Sequence, residues 1–134
     1  MTLHVILDSN ILLYFAEGQF NISQELPKIL HQKYELVFLS ACVEELDKLE
    51  KRKKQLSKKI WFAKKFLKKI KIIKYNPSSP KTTDEKIVDY AIKHKGSSVV
   101  MTNDLPLKKL LRKNGIPVIF VKKKGHLELD GSLP

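Results

Sequence analysis

Apolar residues in this chain come in short, nearly continuous runs separated by stretches of helical period. Leu3–Leu7, Glu35–Leu39, Ile70–Tyr75, Ser98–Met101 and Ile116–Val121 read as five strands. Between them, apolar positions recur every three or four residues. Ile11, Leu12, Leu13 and Phe15 form a helix that Asp8 or Ser9 can cap and Gly18 ends. Further helices are expected over Ser23–Gln32, over the segment carrying Val43, Leu46 and Leu49, and over Ser57–Leu67, Thr83–His94 and Leu105–Lys113. Asn76–Lys81 is a Pro/Ser loop, and the tail can add a short edge strand around His126–Leu129. Strands that are apolar almost throughout are buried on both faces. Their alternation with helices predicts one α/β domain over residues 1–134, a parallel sheet of about five strands. In such a sheet the functional crevice lies beyond the carboxyl ends of the strands.

Four acids fall at or near that edge: Asp8 after the first strand, Asp104 after the fourth, and Glu45 and Asp84 on helices. Helical projection separates Glu45 and Asp84 from their neighbours. Glu45 lies about 70° from the centre of the Cys42/Leu46/Leu49 face, whereas Glu44 lies about 170° away. Asp84 lies within about 10° of the centre of the Ile87/Val88/Ala91/Ile92 face, and Asp89 about 130° off it. An acid on an apolar face needs a partner or a cation. Each acid also has a plainer role. Asp8 and Asp104 fit helix N-caps, Glu45 fits a solvated flank, and Thr82 with Glu85 fits a capping box that leaves Asp84 in a first turn. Together, four carboxylates at one edge suit a hard divalent cation such as Mg²⁺ or Mn²⁺. Ser9, Asn10, Thr102 and Asn103 flank Asp8 and Asp104 and are expected to orient them or hold water; Ser, Thr and Asn also favour turns for their own sake.

Charge then bears on the partner. Lys and Arg number 26 against 14 Asp and Glu, a formal net charge of +12. That balance favours nucleic acid, with an anionic membrane surface as the weaker alternative. Arg52 and Arg112 are the only arginines. Lysine suits phosphates, while bidentate reading of bases favours arginine, so backbone contact without sequence readout is expected. Lys51, Arg52, Lys53, Lys54, Lys58 and Lys59 lie in a segment that is nearly half basic and form a candidate RNA-guiding ridge; a solvated pair of lysine-rich helices gives the same pattern. Trp61 and Phe66, at helical spacing there, are expected in the core or at a dimer contact rather than as stacking platforms. Cys42 is the only cysteine, which excludes an internal disulfide and cysteine-based zinc clusters; it is expected in the core. His4, His31, His94 and His126 lack metal-ligand spacing. No apolar run approaches membrane-spanning length and the N-terminus lacks signal-peptide features, so a cytoplasmic protein is expected.

The runs VILDSN, VEELDKL, TTDEKIVDYA and VVMTNDLPLKKLLRKNGIPVIFV, in this order and spacing, resemble the PIN domain nuclease family across essentially the whole chain. The stretch through KKKGHLELDG is most similar to small archaeal single-domain members like the nucleases of small-subunit ribosomal RNA maturation, whose role is expected here; other such members are toxins of toxin–antitoxin pairs, the alternative role. The resemblance implies a three-layer α/β/α sandwich and a metal-dependent endoribonuclease leaving 5′-phosphate and 3′-hydroxyl ends. It places the family's carboxylates on Asp8, Glu45, Asp84 and Asp104, with Glu85 as the alternative third acid. A homodimer, an antitoxin partner and a pre-ribosomal partner are all compatible with it. A receiver-like signalling domain is excluded: it needs an acidic pair after the first strand and an Asp after the third, and this chain has one acid in Asp8-Ser9-Asn10 and Asn76 at the other position. A non-catalytic RNA-binding module is the remaining competitor.

Overall fold

The computed structural model describes residues 2–75, 77 and 82–133. Chain order is β1 (Leu3–Leu7), α1 (Ser9–Ala16), α2 (Ile22–Ile29), β2 (Tyr34–Leu39), α3 (Ser40–Arg52), α4 (Ser57–Leu67), β3 (Lys71–Ile73), α5 (Thr83–Lys93), β4 (Ser98–Met101), α6 (Leu105–Lys113), β5 (Val118–Val121) and β6 (Leu127–Asp130). The strands form one sheet in the order β3-β2-β1-β4-β5-β6, parallel except for β6. Right-handed crossovers place α1 to α4 over one face and α5 and α6 over the other. Contacts of α1 with α3 and α4, and of α5 with α6, agree with this three-layer arrangement.

β1 is central because both its edges are paired, with β2 on one side and β4 on the other. Leu3, Val5, Ile6 and Leu7 are wholly buried there. The chain leaves β1 for β2 in one direction and later returns to β4 in the other, so the switch point lies between β1 and β4. Leu7 stands level with Phe38 on β2 and Met101 on β4. The next residues, Asp8 and Thr102, therefore emerge side by side at the carboxyl edge.

Several boundaries differ from expectation. The sheet has six strands rather than about five, because the tail folds back as β6, antiparallel to β5. Gly125, at φ +75°, makes the turn into it. The second helix runs Ile22–Ile29 instead of Ser23–Gln32: the Asn21 side chain caps it, and Leu30 is already extended. β3 is limited to Lys71–Ile73, since Ile70 closes the turn that ends α4 by donating its N–H to Leu67. β5 begins at Val118, because the Ile116 N–H is taken by the Leu111 carbonyl at the end of α6. Of the expected loop Asn76–Lys81, only Pro77 is among the described residues. No helix among the described residues is long and apolar enough to cross a membrane.

α4 corrects one part of an expectation, the core placement of Trp61. Its inward face is Ile60, Ala63 and Leu67, with Phe66 partly buried against the core. Trp61 stands about 100° from Ile60 around the helix and is 58% exposed, so it is not a core residue.

Candidate active site

Both strand-end acids cap helices. Asp8 accepts the Ile11 N–H of α1 at 2.7 Å, and Asp104 accepts the Leu107 N–H of α6 at 3.0 Å. Capping occupies Oδ1 of each and aims the carboxylates outward past the sheet edge. Thr102, wholly buried, ties the pair together. Its hydroxyl donates to Asp8 Oδ2 and accepts the Asp104 N–H at 3.0 Å. The plain capping role and a site role thus belong to the same residues.

A cleft of about 290 Å³ opens at this switch point. Asp8, Glu45, Asp84 and Asp104 line it, together with Ser9, Asn10 and Arg52. Glu45 stands on the exposed flank of α3, and its Oε1 accepts the hydroxyl of buried Ser9. Glu44 does not line the cleft; it faces a neighbouring depression with Lys48 and Lys86 that Glu45 also borders. Asp84 projects from the first turn of α5 and is exposed, because the turn reaches beyond the core that buries Ile87. Glu85, the alternative acid, is engaged elsewhere: its N–H is taken by Thr82 Oγ1 at 3.2 Å, and its side chain lines a different hollow with Val88 and Ile92.

Asn103 departs from expectation. Its amide donates to the Val121 carbonyl at 3.1 Å and accepts the Val121 N–H at 2.8 Å. Both amide atoms are thereby spent on β5, outside the carboxylate cleft. Asn103 fastens the β4–α6 turn to the sheet; the sequence could not separate this from a role beside Asp104, since both use a turn asparagine. Lys51, Lys53, Lys54, Lys58 and Lys59 are exposed, and Lys59 pairs with Glu17 at 3.3 Å. Of the six basic residues expected to guide RNA, Arg52 is the one in the cleft wall.

The electrostatics are those of acids held together without compensation. Burial raises the Asp8 carboxyl from 3.8 to about 6; the Thr102 and Ile11 hydrogen bonds oppose this, and the charges of Asp84 and Asp104 add to it. Asp84 is raised too, by partial burial and then by Asp104 and Glu45. Among the described residues no three acidic, His or Cys side chains stand close enough to hold one ion together. The carboxylates ring the cleft instead of converging in it, as mutual repulsion requires. The donor set, all hard carboxylate oxygen, suits a divalent cation, and exposed Glu45 and Asp84 have the freedom to close on one.

Other titratable groups stand apart. Cys42 is buried in the core, where burial and the nearby acids push the thiol well up, so it stays protonated. His4 and His94 pack with Tyr90 at the amino end of the sheet, away from the carboxylate cleft.

Comparison with known proteins agrees with the fold. Residues 5–124 match the PIN like domain model. Ribonuclease VapC4 of Methanocaldococcus jannaschii is 35% identical over 127 residues, covering 95% of this chain and 96% of that protein. Among solved structures, the PIN domain endonuclease Utp24 superposes with a TM-score of 0.76 at 23% identity, covering 97% of this chain and 92% of that one. VapBC2 from Rickettsia felis, solved bound to a DNA fragment of its promoter, gives 0.67 at 16% identity, with 90% and 100% covered.

Proposed function

Because the chain belongs to the PIN domain family, we infer that it is a divalent-metal-dependent endoribonuclease whose chemistry takes place at the carboxylate cleft. One observation carries the reading. Acids from four separate elements, at the ends of β1 and β4 and on α3 and α5, line a single cleft at the sheet's switch point. Asp8 and Asp104 would hold the cation most firmly, with Glu45 and Asp84 completing its shell directly or through water. Mg²⁺ and Mn²⁺ both suit such oxygen donors; when bound, either supplies Lewis-acid chemistry to a phosphodiester.

The chain's own residues prepare the site. Thr102 fixes the Asp8 carboxylate through one oxygen and the Ile11 N–H fixes it through the other. Ser9 holds Glu45 toward the cleft. Arg52 sets a guanidinium in the cleft wall, where an entering phosphate can take paired hydrogen bonds. No basic side chain is needed as nucleophile, since water is the attacking group and RNA is left with 5′-phosphate and 3′-hydroxyl ends.

Two biological roles follow for the same chemistry. Ribosomal RNA processing is supported by the C-terminal stretch through KKKGHLELDG, which resembles small archaeal maturation nucleases. A toxin ribonuclease held by an antitoxin is supported by the 35% identity to Ribonuclease VapC4 over nearly the full length of both chains. Incubation with end-labelled structured RNA and Mn²⁺ tests the activity. The wild type is expected to cut and Asp8→Asn to bind without cutting; equal cutting by both would reject the assignment. Growth arrest on expression, relieved by a co-expressed small partner, marks the toxin, whereas co-purified precursor ribosomal RNA marks maturation.

A further inference from the structure

The only tryptophan of the chain, Trp61, sits in the open on α4, among exposed lysines and the half-exposed Phe62. Projected around α4, Lys58, Lys64, Lys65 and Lys68 lie within about 60° of Trp61. Lys65 already holds its ammonium over the indole, 4.5 Å from the ring centroid. The lysines divide by partner. Lys59 bonds Glu17, and Lys64 bonds Asp47 and reaches Glu50. Lys58, Lys65 and Lys68 form no ion pair with any described residue. Intramolecular acids therefore neutralise Lys59 and Lys64 and leave Lys58, Lys65 and Lys68 around the indole uncompensated. On the same helix a groove of about 520 Å³ continues the pattern, floored by Phe15, Phe62 and Phe66 and rimmed by Lys65, Lys68 and Lys69.

We propose that this face binds single-stranded RNA, with a base stacked on Trp61 and neighbouring phosphates on Lys58, Lys65 and Lys68. The proposal rests on the nuclease reading and extends it to the strand flanking the cut. Aromatic faces interleaved with cations are the recognition surface of sequence-tolerant single-strand binding, because every base offers a π-face and every linkage a charge. An acidic protein segment would meet the charges but gains nothing particular from an indole with a cation over it. The face also lies near the cleft along the chain. Arg52 lines the cleft, and the five residues from there to the start of α4 span at most about 18 Å. A strand following the chain from Arg52 would pass Lys53, Lys54 and Lys58, all exposed, before Trp61.

Trp61 is its own reporter. Metal-free protein in chelator, which cannot cut, is titrated at low salt with an unstructured oligoribonucleotide of about 10 nucleotides. Saturable quenching of tryptophan emission is expected. By anisotropy of labelled RNA, Trp61→Ala should bind about 5- to 100-fold more weakly and Trp61→Phe should recover most of that. An abasic strand of equal length should bind the wild type as weakly as RNA binds Trp61→Ala, without quenching. Replacing Lys58, Lys65 and Lys68 by Gln should flatten the slope of log affinity against log salt by about 2. Binding without quenching, an unchanged affinity for Trp61→Ala, or no binding at all overturns the proposal. So does emission that shifts with protein concentration alone, which would place a second copy on this face. Cleavage is scored separately with Mn²⁺: quenching without cleavage rejects the nuclease reading alone, and cleavage without quenching rejects the stacking face alone.

Discussion

Replacing Asp8 by Asn should make the metal-free protein more stable at neutral pH while abolishing its activity. Asp8 is 5% exposed, and its carboxyl is raised from 3.8 to about 6. An acid with a raised pKa holds its proton more tightly folded than unfolded. The folded state therefore loses stability as pH rises from about 4 to about 6, by at most about 3 kcal/mol at 1.36 kcal/mol per unit. Asn removes that charge. Its carbonyl can keep the Ile11 N–H, but its NH₂ now faces Thr102 Oγ1, whose own proton loses its acceptor, at a cost of about 1 kcal/mol. The net gain near pH 7.5 in chelator is about 1 to 2 kcal/mol, or roughly 3 to 8 °C in Tm for a chain of this size. At pH 4 the wild-type carboxyl is already protonated, so the order reverses by about 1 kcal/mol. Urea and thermal melts followed by circular dichroism across pH 4 to 8 measure this crossing. Adding Mg²⁺ or Mn²⁺ should then raise the wild-type Tm, by about 2.7 kcal/mol of linkage at a hundredfold excess over Kd, and leave the variant unmoved. An Asp8→Asn protein less stable than wild type at every pH in chelator would refute the reasoning, since Asp8 would then be a net stabilising cap.

Thr102→Val removes the hydroxyl that lowers the Asp8 carboxyl and satisfies the Asp104 N–H. The acid limb of the pH–rate profile should move to higher pH, with a loss of about 1 to 2 kcal/mol in denaturant melts; an unshifted limb would separate Thr102 from Asp8 in function. Asn103→Ala should cost about 1 to 3 kcal/mol by unpairing both backbone groups of Val121, yet leave divalent-ion affinity by calorimetry unchanged. Glu45→Gln should weaken that affinity at least about tenfold while Glu44→Gln leaves it alone; equal effects would mean that the cleft does not discriminate between the two flanks of α3. Gly125→Ala should destabilise β6, because its φ is +75° and an added Cβ would lie 2.6 Å from the Gln19 carbonyl oxygen; a Tm equal to wild type would count against that turn.

Much of the site was legible because it depends on chain order and helical period. A nearly continuous apolar run such as Leu3–Leu7 is buried on both faces, and the residue after it must emerge at the sheet's edge. That placed Asp8 and Asp104 without any knowledge of contacts. The period of α3 likewise put Glu45 nearer the core than Glu44, and the structure sets Glu45 in the cleft. The projection of α5 chose Asp84, but as an acid on a buried face. Asp84 is instead exposed, because a first turn extends past the layer that covers the rest of its helix.

Other features lay outside any local pattern. Asn103 and Asn10 both stand close to a strand-end acid. Only the register of β5 against β4 brings Val121 to Asn103 and commits its amide to the sheet. Trp61 shares its spacing with Phe66, yet the packing of α1 against α4 buries one and leaves the other open. In the sequence Arg52 stood out only as one of two arginines; the end of α3 sets it in the cleft wall. The sequence alone determined which segments are strands and helices, and that four acids end up near one edge, because hydrophobic burial acts through local periodicity. Which polar neighbours serve those acids, and which cations and aromatics face outward beside them, was decided by the tertiary structure. Those outcomes depend on contacts between residues tens of positions apart, and no periodicity encodes them.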